Sequence, residues 1–262
     1  MKKRINIYGI VAAVMLLAGA LMPARVAALD LPDEDLNYMI MYKWGLVNKD
    51  AASAVLSLRS DGNHYYAKLS ARTLPWADKI FMVRDTLKST MLREGCLPEL
   101  YTKISHEGSR YGRDVVRYER NGDEVTGYAE RWKSKNGGPV TTSETVLHAT
   151  GRTVDMLSVF YYLRTLDFES MRPGEVVSMN VFSGKSVEQL TVRYDGIEDI
   201  KLGKYRWRTF HLSFTFTQNG KVSSDAMETW ISTDATRIPV QLEGQLPLGK
   251  VRAYFTGSPS AI

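Results

Sequence analysis

The residues best suited to acid–base or hydrolytic chemistry are scattered through this sequence rather than grouped in a motif. The four histidines, His64, His106, His148 and His211, are far apart in the chain, and no G-x-S-x-G, H-E-x-x-H or C-x-x-C pattern accompanies them. A barrel could bring two of them together as metal ligands, but each falls in a predicted strand or at a strand end, where we expect a structural or solvent-facing role. The sequence therefore predicts no catalytic residue and no metal site.

Adjacent carboxylates offer the residue type that glycoside cleavage requires. They are Asp33-Glu34-Asp35, Asp123-Glu124 and Glu198-Asp199. Cleavage of a glycan needs two carboxyl groups that face each other roughly 5–10 Å apart, a spacing that a sequence does not test. Because these runs fall at predicted turns or near the start of the chain, we expect them to be solvated. A glycan-acting enzyme is therefore the least favoured function.

A short segment resembles the end of a phosphate-binding loop. It is Gly184-Lys185-Ser186, but Met179 stands where such a loop needs its first glycine. We interpret the segment as a hairpin turn and expect the protein to use no cofactor.

Cys96 is the only cysteine in the chain. No internal disulfide can form, so the fold must be held together by its buried core. A nucleophilic cysteine needs a histidine base and a polarising environment, and the neighbours here are Gly95 and Leu97. We expect a buried or half-buried thiol with no catalytic role.

The basic balance of the chain comes from its first residues. The chain has 34 Lys and Arg against 29 Asp and Glu, a formal charge of +5. Lys2, Lys3, Arg4 and Arg25 lie within residues 1–28, which contain no acid. The remainder carries about as many basic as acidic groups, and the two signs are interspersed. This mixture argues against a nucleic acid partner.

Residues 1–28 have the pattern of a Sec-type signal peptide. An apolar stretch from Ile10 to Leu21 follows the basic start, and Val26-Ala27-Ala28 supplies the small residues that a signal peptidase reads. We expect cleavage before Leu29, which predicts a periplasmic or secreted protein that is not integral to the membrane once the leader is removed. A retained anchor is the alternative, although the apolar stretch is short for one. No lipid-attachment cysteine is present at the cleavage point.

Residues 29–262 are patterned as consecutive antiparallel strands of a single β-barrel domain. The clearest alternation covers 207–217, where Phe210, Leu212, Phe214 and Phe216 share one face. The other predicted strands cover 38–47, 51–59, 63–72, 98–106, 110–120, 125–135, 139–148, 175–182, 187–194, 224–231, 237–243 and 250–256. The predicted fold class is all-β, a large antiparallel β-barrel with a meander topology.

Turn signals recur between the predicted strands. Glycine and asparagine tolerate the positive φ that tight hairpins need, so pairs containing them indicate reversals of the chain. They are Asp61-Gly62, Asn121-Gly122, Asn136-Gly137-Gly138, Ser183-Gly184, Asp195-Gly196, Leu202-Gly203, Asn219-Gly220 and Leu248-Gly249.

One mostly buried helix is predicted near 153–166. Thr153 or Asp155 can cap it, and its residues are apolar on nearly every side. We expect it to close or plug one end of the barrel. Its charge, Arg164, needs a partner or a polar cavity, because a buried unpaired guanidinium is costly. A structural ion pair and contact with a ligand are both open at this stage.

Aromatic side chains provide the candidate binding surface. Trp44 and Trp76, together with Tyr161, Tyr162 and Arg164 of the helix, are the predicted ligand-binding residues. Such side chains can line a pocket for a lipid or stack on sugar rings. Packing in the core or at the rim is the alternative role for the aromatic residues.

Three stretches carry a family resemblance in their order and spacing. They are Tyr42-Lys43-Trp44-Gly45; Asp155-Met156-Leu157-Ser158 through Tyr161-Tyr162-Leu163-Arg164 with Pro173-Gly174; and Trp230-Ile231-Ser232-Thr233-Asp234 with Arg237-Ile238-Pro239-Val240 and Gly249. The chain thereby resembles the exported bacterial proteins of the domain of unknown function 3108 family. The resemblance implies a large antiparallel β-barrel and brings no catalytic residue with it.

These expectations favour an exported, non-enzymatic β-barrel protein that binds a hydrophobic or amphiphilic envelope molecule, such as a lipid, glycolipid or glycan. A carrier of this kind predicts an enclosed apolar cavity. The alternative is a structural or assembly partner of another envelope protein in cell-envelope or polysaccharide biogenesis, which predicts an exposed aromatic or apolar patch. An outer-membrane barrel is disfavoured, because charged residues lie on both faces of the predicted strand 110–120.

Overall fold

The computed structural model describes residues 30–219, 221–222, 227–246 and 249–257. The predicted leader, 1–28, lies outside this range, as do the side chains of Trp44, Val47 and Leu246. The first strands are β1 (Glu34–Trp44), β2 (Val47–Asp61), β3 (His64–Thr73), β4 (Val83–Leu92), β5 (Pro98–Glu107), β6 (Arg110–Asn121), β7 (Glu124–Lys135) and β8 (Thr141–Thr150). They continue as β9 (Thr153–Val154), β10 (Val176–Phe182), β11 (Val187–Leu202), β12 (Tyr205–Gln218), β13 (Lys221–Val222), β14 (Met227–Ser232), β15 (Pro239–Leu246) and β16 (Gly249–Gly257).

Two short helices interrupt the strands. They are α1 (Pro75–Asp78) and α2 (Ser158–Arg164), and a 3₁₀ turn covers Glu94–Cys96. Among the residues described, no helix is long and apolar enough to cross a membrane.

The strands form one sheet that curls into a nearly closed barrel. Its order is β8-β7-β6-β5-β4-β3-β2-β1-β16-β15-β14-β12-β11-β10-β9, and the additional strand β13 pairs with β12. Every neighbouring pair is antiparallel except β9 with β10. The two edges meet where the Asn180 side-chain amide of β10 donates to the carbonyl of Thr150, the last residue of β8, at 3.0 Å. The all-β prediction and the barrel are thus confirmed.

Antiparallel order sorts the connections between strands into two ends of the barrel. The connections after β2, β4, β6, β11 and β14 lie at one end, which also holds α2 beside the 3₁₀ turn. We call it the helix end. The connections after β1, β3, β5, β7, β10 and β12 lie at the opposite end, the rim end.

Helix α2 is buried in the core, as predicted. A continuous cluster of buried apolar side chains joins its Tyr161 and Leu163 to strand residues that include Leu36, Leu58 and Met91. The carrier hypothesis predicts an enclosed apolar cavity. At the helix end, however, α2 and these side chains fill the barrel, and that part of the interior is packed.

The helix is shorter than predicted, and Asp155 rather than Thr153 caps its first turn. Asp155 Oδ1 accepts the backbone N–H groups of Leu157 and Ser158, each at 2.7 Å, and Ser158 Oγ accepts the Asp155 N–H at 2.9 Å. This reciprocal pair is a capping box. Thr153 belongs instead to the short strand β9, which hydrogen bonds to β10.

Two local predictions were wrong. Asp195-Gly196 is a β-bulge within β11 and not a turn, since the pairing with β12 shifts there and continues to Leu202. Gly196 has φ +117°, which only glycine adopts readily and which accommodates the extra residue. Strand β4 was missed because its polar residues, among them Arg84, Asp85 and Lys88, obscure the apolar alternation.

Candidate binding cleft

Three of the predicted ligand-binding residues lie inside the core. Tyr161, Tyr162 and Arg164 are buried side chains of α2. Arg164 Nη2 lies 3.0 Å from Glu34 Oε2 and donates to the Thr236 carbonyl at 2.9 Å. An ion pair is therefore the role that Arg164 has in this structure.

The two predicted tryptophans lie at the rim end, away from α2. The Trp76 Nε1–H donates to the Asp50 carbonyl at 2.8 Å, and Lys49 Nζ lies 4.6 Å from the centre of its ring. Trp44 ends β1, and its side chain is outside the described part of the protein. The five residues are thus divided between opposite ends of the barrel, and ligand binding by them stays a prediction.

Asp155 is the most deeply buried carboxyl group with a raised pKa. Burial raises its pKa to about 6, against hydrogen bonds that favour the charged form. The Ser89 Oγ–H donates to Oδ2 at 2.6 Å, and the capping N–H groups occupy Oδ1. Raised pKa values often mark catalytic acids, but both oxygens of this carboxyl group are engaged in holding α2. Its role in this structure is to position the helix.

Two of the histidines lie close to a glutamate. His64 Nε2 lies 3.1 Å from Glu99, and His211 Nδ1 lies 3.3 Å from Glu198. His211 also stacks on Trp230, with ring centres 4.7 Å apart. Within the described ranges no group of three or more His, Cys, Asp or Glu residues could hold a metal ion.

A cleft of about 1230 Å³ opens in the barrel wall toward the helix end. Strand β12 pairs with β14 only from Thr209 to Phe214, so its first residues, 205–208, extend past that partner. Likewise β16 pairs with β15 only as far as Tyr254, although it continues along β1 to Gly257. The cleft lies between these two extensions, and we call it the aromatic cleft.

The walls of the aromatic cleft are largely apolar. Tyr205 and Trp207 come from the hairpin side, and Tyr254 and Phe255 come from β16. The Trp207 and Phe255 rings pack edge to face with centres 6.0 Å apart, so the two sides of the cleft are in contact there. The remaining lining residues are Asn37, Met41, Lys201, Leu202, Gly203, Lys204, Arg252, Thr256 and Gly257.

Among the described residues that line the aromatic cleft, the charged ones are Lys201, Lys204 and Arg252, and none is Asp or Glu. Lys201 and Lys204 are exposed on the hairpin, and Lys204 Nζ lies 5.2 Å from the centre of the Tyr205 ring. Arg252 lies on the opposite side, where Glu243 holds its Nε at 2.6 Å. The two lysines therefore give the mouth of the cleft a positive charge.

The sequence predicts some of the elements that form this cleft but does not predict that they lie together. The turn at Leu202-Gly203 and the strand beginning at Trp207 were both predicted, and 204–207 alternates basic with aromatic residues. That alternation at a hairpin tip was the available signal. The opposite wall, 252–257, is distant in the chain, and only the barrel closure between β1 and β16 brings it near.

Comparison with known proteins identifies the fold and a family. The family profile described as "Protein of unknown function (DUF3108)" matches residues 37–256. A crystal structure of a β-barrel-like protein of the domain of unknown function DUF1849 from Brucella abortus is similar, with a TM-score of 0.59 and 10% identity over 88% of this chain and 98% of that one. A protein of Bacteroides fragilis with a YmcC-like fold gives 0.35 and 6% identity over 88% and 97% of the two chains. No curated protein sequence matches.

Proposed function

The chain belongs to the DUF3108 family of proteins of unknown function, and on that premise we propose that it binds an amphiphilic molecule of the cell envelope in the aromatic cleft. The ligand class is one with an apolar chain or ring system and an anionic group. The proposal places the protein in the periplasm or outside the cell, as the leader pattern at 1–28 predicts.

The single observation that supports the proposal is the composition of the aromatic cleft. Its volume of about 1230 Å³ exceeds that of most pockets for drug-sized molecules. Trp207 and Phe255 offer flat apolar surface for an acyl chain or a ring, which gains by leaving water. Lys201 and Lys204 stand at the mouth, where an anionic group of the same ligand would lie.

Binding without chemistry is the simplest function for this cleft. Glycoside cleavage needs two facing carboxyl groups, and none of the residues that line the cleft is Asp or Glu. Its aromatic rings are nevertheless compatible with a glycolipid, in which a sugar would stack on Tyr205 while the chain lies against Phe255.

Native mass spectrometry of the processed protein purified from its own envelope tests the proposal. We expect a co-purifying amphiphile that lipid extraction removes and that is absent from the Trp207→Ala, Phe255→Ala double variant. Trp132→Ala is the matched control, because Trp132 lies on β7 and stacks with Arg113 at 4.7 Å, away from the cleft. A ligand-free native protein, or equal ligand loss in the control, would count against the proposal.

A second candidate function is assembly with another envelope protein, and the free edge of β8 favours it. Residues 141–146 are exposed on both faces, and the described residues pair β8 with β7 alone. Such an edge can accept an extended strand from a partner. The Gly151 N–H donates to the Asp123 carbonyl of β7, and the register is unshifted along β8, so the Glu144 N–H faces the free side. Replacing Glu144 by Pro would remove that N–H, and we expect it to abolish capture of such a partner while leaving amphiphile binding intact.

A further inference from the structure

The rim end carries a continuous surface that combines exposed apolar side chains with basic ones. Apolar tips come from three of its connections: Leu46 after β1, Ile80, Phe81 and Met82 after β3, and Val140 after β7. Ile80 is 78% exposed, Phe81 52% and Val140 55%. Isolated exposed apolar residues are common, but consecutive ones at a loop tip indicate an interaction surface.

Contacts between neighbouring connections make these tips one surface. Lys49, near the start of β2, lies over the Trp76 ring, which joins this side of the β1–β2 hairpin to α1. The Gly108 N–H donates to the Met82 carbonyl at 2.7 Å, and the Phe81 ring lies against Gly108. The Asn136 N–H donates to the Ser109 carbonyl at 2.8 Å, which adds the connection after β7. We call residues 43–50, 74–84, 107–110 and 133–141 the basic rim.

The charge of the basic rim is strongly unbalanced, although the barrel as a whole is close to neutral. Its basic residues are Lys43, Lys49, Lys79, Arg84, Arg110, Lys133 and Lys135, and its acidic residues are Asp50, Asp78 and Glu107. Asp78 is already neutralised by Arg84, whose Nη2 lies 2.7 Å from it. The unpaired excess therefore consists mainly of exposed lysines around the apolar tips.

We propose that the basic rim docks the barrel on the surface of an anionic lipid bilayer. Apolar side chains at loop tips gain free energy by entering the boundary between headgroups and acyl chains, and lysines beside them are attracted to anionic headgroups. A soluble polyanion would use the lysines but would leave Ile80 and Phe81 in water, so the combination favours a bilayer. The basic rim shares no residue with the lining of the aromatic cleft, and the docking proposal does not depend on the proposed function.

Vesicle co-sedimentation of the processed protein recovered after export tests the docking. We expect binding to vesicles of phosphatidylethanolamine with phosphatidylglycerol, and weak binding to vesicles of phosphatidylcholine alone. High salt should abolish the difference, because it screens charges over a shorter distance. Lys79→Gln and Lys135→Gln should each weaken binding about fivefold, since each cation near an anionic surface contributes about that factor.

The apolar tips have their own variants and a matched control. Ile80→Ser with Phe81→Ser should abolish binding, whereas Ile197→Ser should not, because Ile197 is an exposed apolar residue of β11 outside the rim. Phe81→Trp should give a blue shift in fluorescence on anionic vesicles and quenching by brominated lipid.

Three results would overturn the docking proposal. The first is no binding to the anionic vesicles. The second is an equal loss in the Ile197→Ser control or in Lys68→Gln, which removes an exposed lysine of β3 outside the basic rim. The third is binding that survives the Ile80 and Phe81 substitutions and depends on lysine alone. The last result would show that the apolar tips do not enter the bilayer.

Discussion

Nη2 of Arg164 lies 3.0 Å from Oε2 of Glu34, which belongs to a strand 130 residues earlier in the chain. The pair ties α2 to the first residue of β1, and the hydrogen bond from Arg164 to Thr236 adds the connection after β14. Because Arg164 is 1% exposed, its ion pair with Glu34 is almost completely shielded from water. The helix is held at its end of the barrel by this contact as well as by apolar packing.

Removing one partner of this pair should destabilise the fold strongly. Arg164→Met leaves Glu34 nearly buried without a counter-charge, so we expect a loss of about 3–5 kcal/mol in the free energy of unfolding. The double variant with Glu34→Leu buries no charge and should recover most of that loss. Urea unfolding of both single variants and of the double variant measures the coupling. Losses that simply add would show that the pair does not act as a unit.

Asp155 should make stability fall as pH rises through its pKa. Burial raises that pKa from 3.8 to about 6, so between these values the folded state binds more protons than the unfolded state. The contribution is complete below about pH 3.8 and lost above pH 6. Asp155→Asn lacks this titration, and its unfolding free energy relative to the native sequence should rise by about 3 kcal/mol between these limits.

Urea unfolding at several pH values checks the Asp155 prediction. Asp78→Asn is the control, because the hydrogen bond from Arg84 lowers the pKa of Asp78 to about 2. Asp78 stabilises the fold above the ordinary pKa of an aspartate and loses that effect as pH falls from about 5 toward 2, so its variant should show no slope between about pH 5 and 7. A pH-independent difference for Asp155→Asn would contradict the prediction.

A side chain at Gly127 should disrupt the packing of the Phe182 ring inside the barrel. A Cβ at this position would lie 2.6 Å from Cε2 of Phe182, a buried ring stacked on Tyr118 with centres 5.4 Å apart. Since the Phe182 ring is fully buried, Gly127→Ala should cost about 1–3 kcal/mol in the free energy of unfolding. Adding Phe182→Leu should recover part of the loss.

Thermal or urea unfolding of Gly244→Ala gives the comparison for Gly127→Ala. A Cβ at Gly244 of β15 would make only ordinary contacts, 3.6 Å from Met227 and 3.7 Å from Val251. We expect little change in stability there. Equal losses of stability at both glycines would mean that the contact with Phe182 is not the cause of the loss at Gly127.

The lysines at the mouth of the aromatic cleft should favour anionic amphiphiles over uncharged ones. Lys201→Gln with Lys204→Gln should weaken the binding of oleate a few-fold, since exposed charges contribute less than about 1 kcal/mol each. The same variant should bind monoolein, an uncharged amphiphile, as well as the native protein does. Trp207→Ala should weaken the binding of both. Titration calorimetry distinguishes these outcomes, and equal losses for oleate and monoolein in the lysine variant would refute a charge-selective mouth.

Local patterns in the sequence predicted most strands, while the long-range contacts could not be read from it. The alternation of Phe210, Leu212 and Phe214 requires a strand with one buried face, and the structure has that strand. Asp195-Gly196 was misread because a bulge and a turn use the same residue types. The partner of Arg164 and the second wall of the aromatic cleft depend on strand order around the barrel, which residue alternation does not encode.

Photo-crosslinking with a photoactivatable fatty acid tests the central proposal most directly, because peptide mapping locates the ligand on the chain. If the aromatic cleft is the binding site, adducts should concentrate in 201–207 and 252–257, compete with oleate and disappear in Trp207→Ala. Adducts confined to α2 or to the basic rim, or no competable adducts at all, would contradict it.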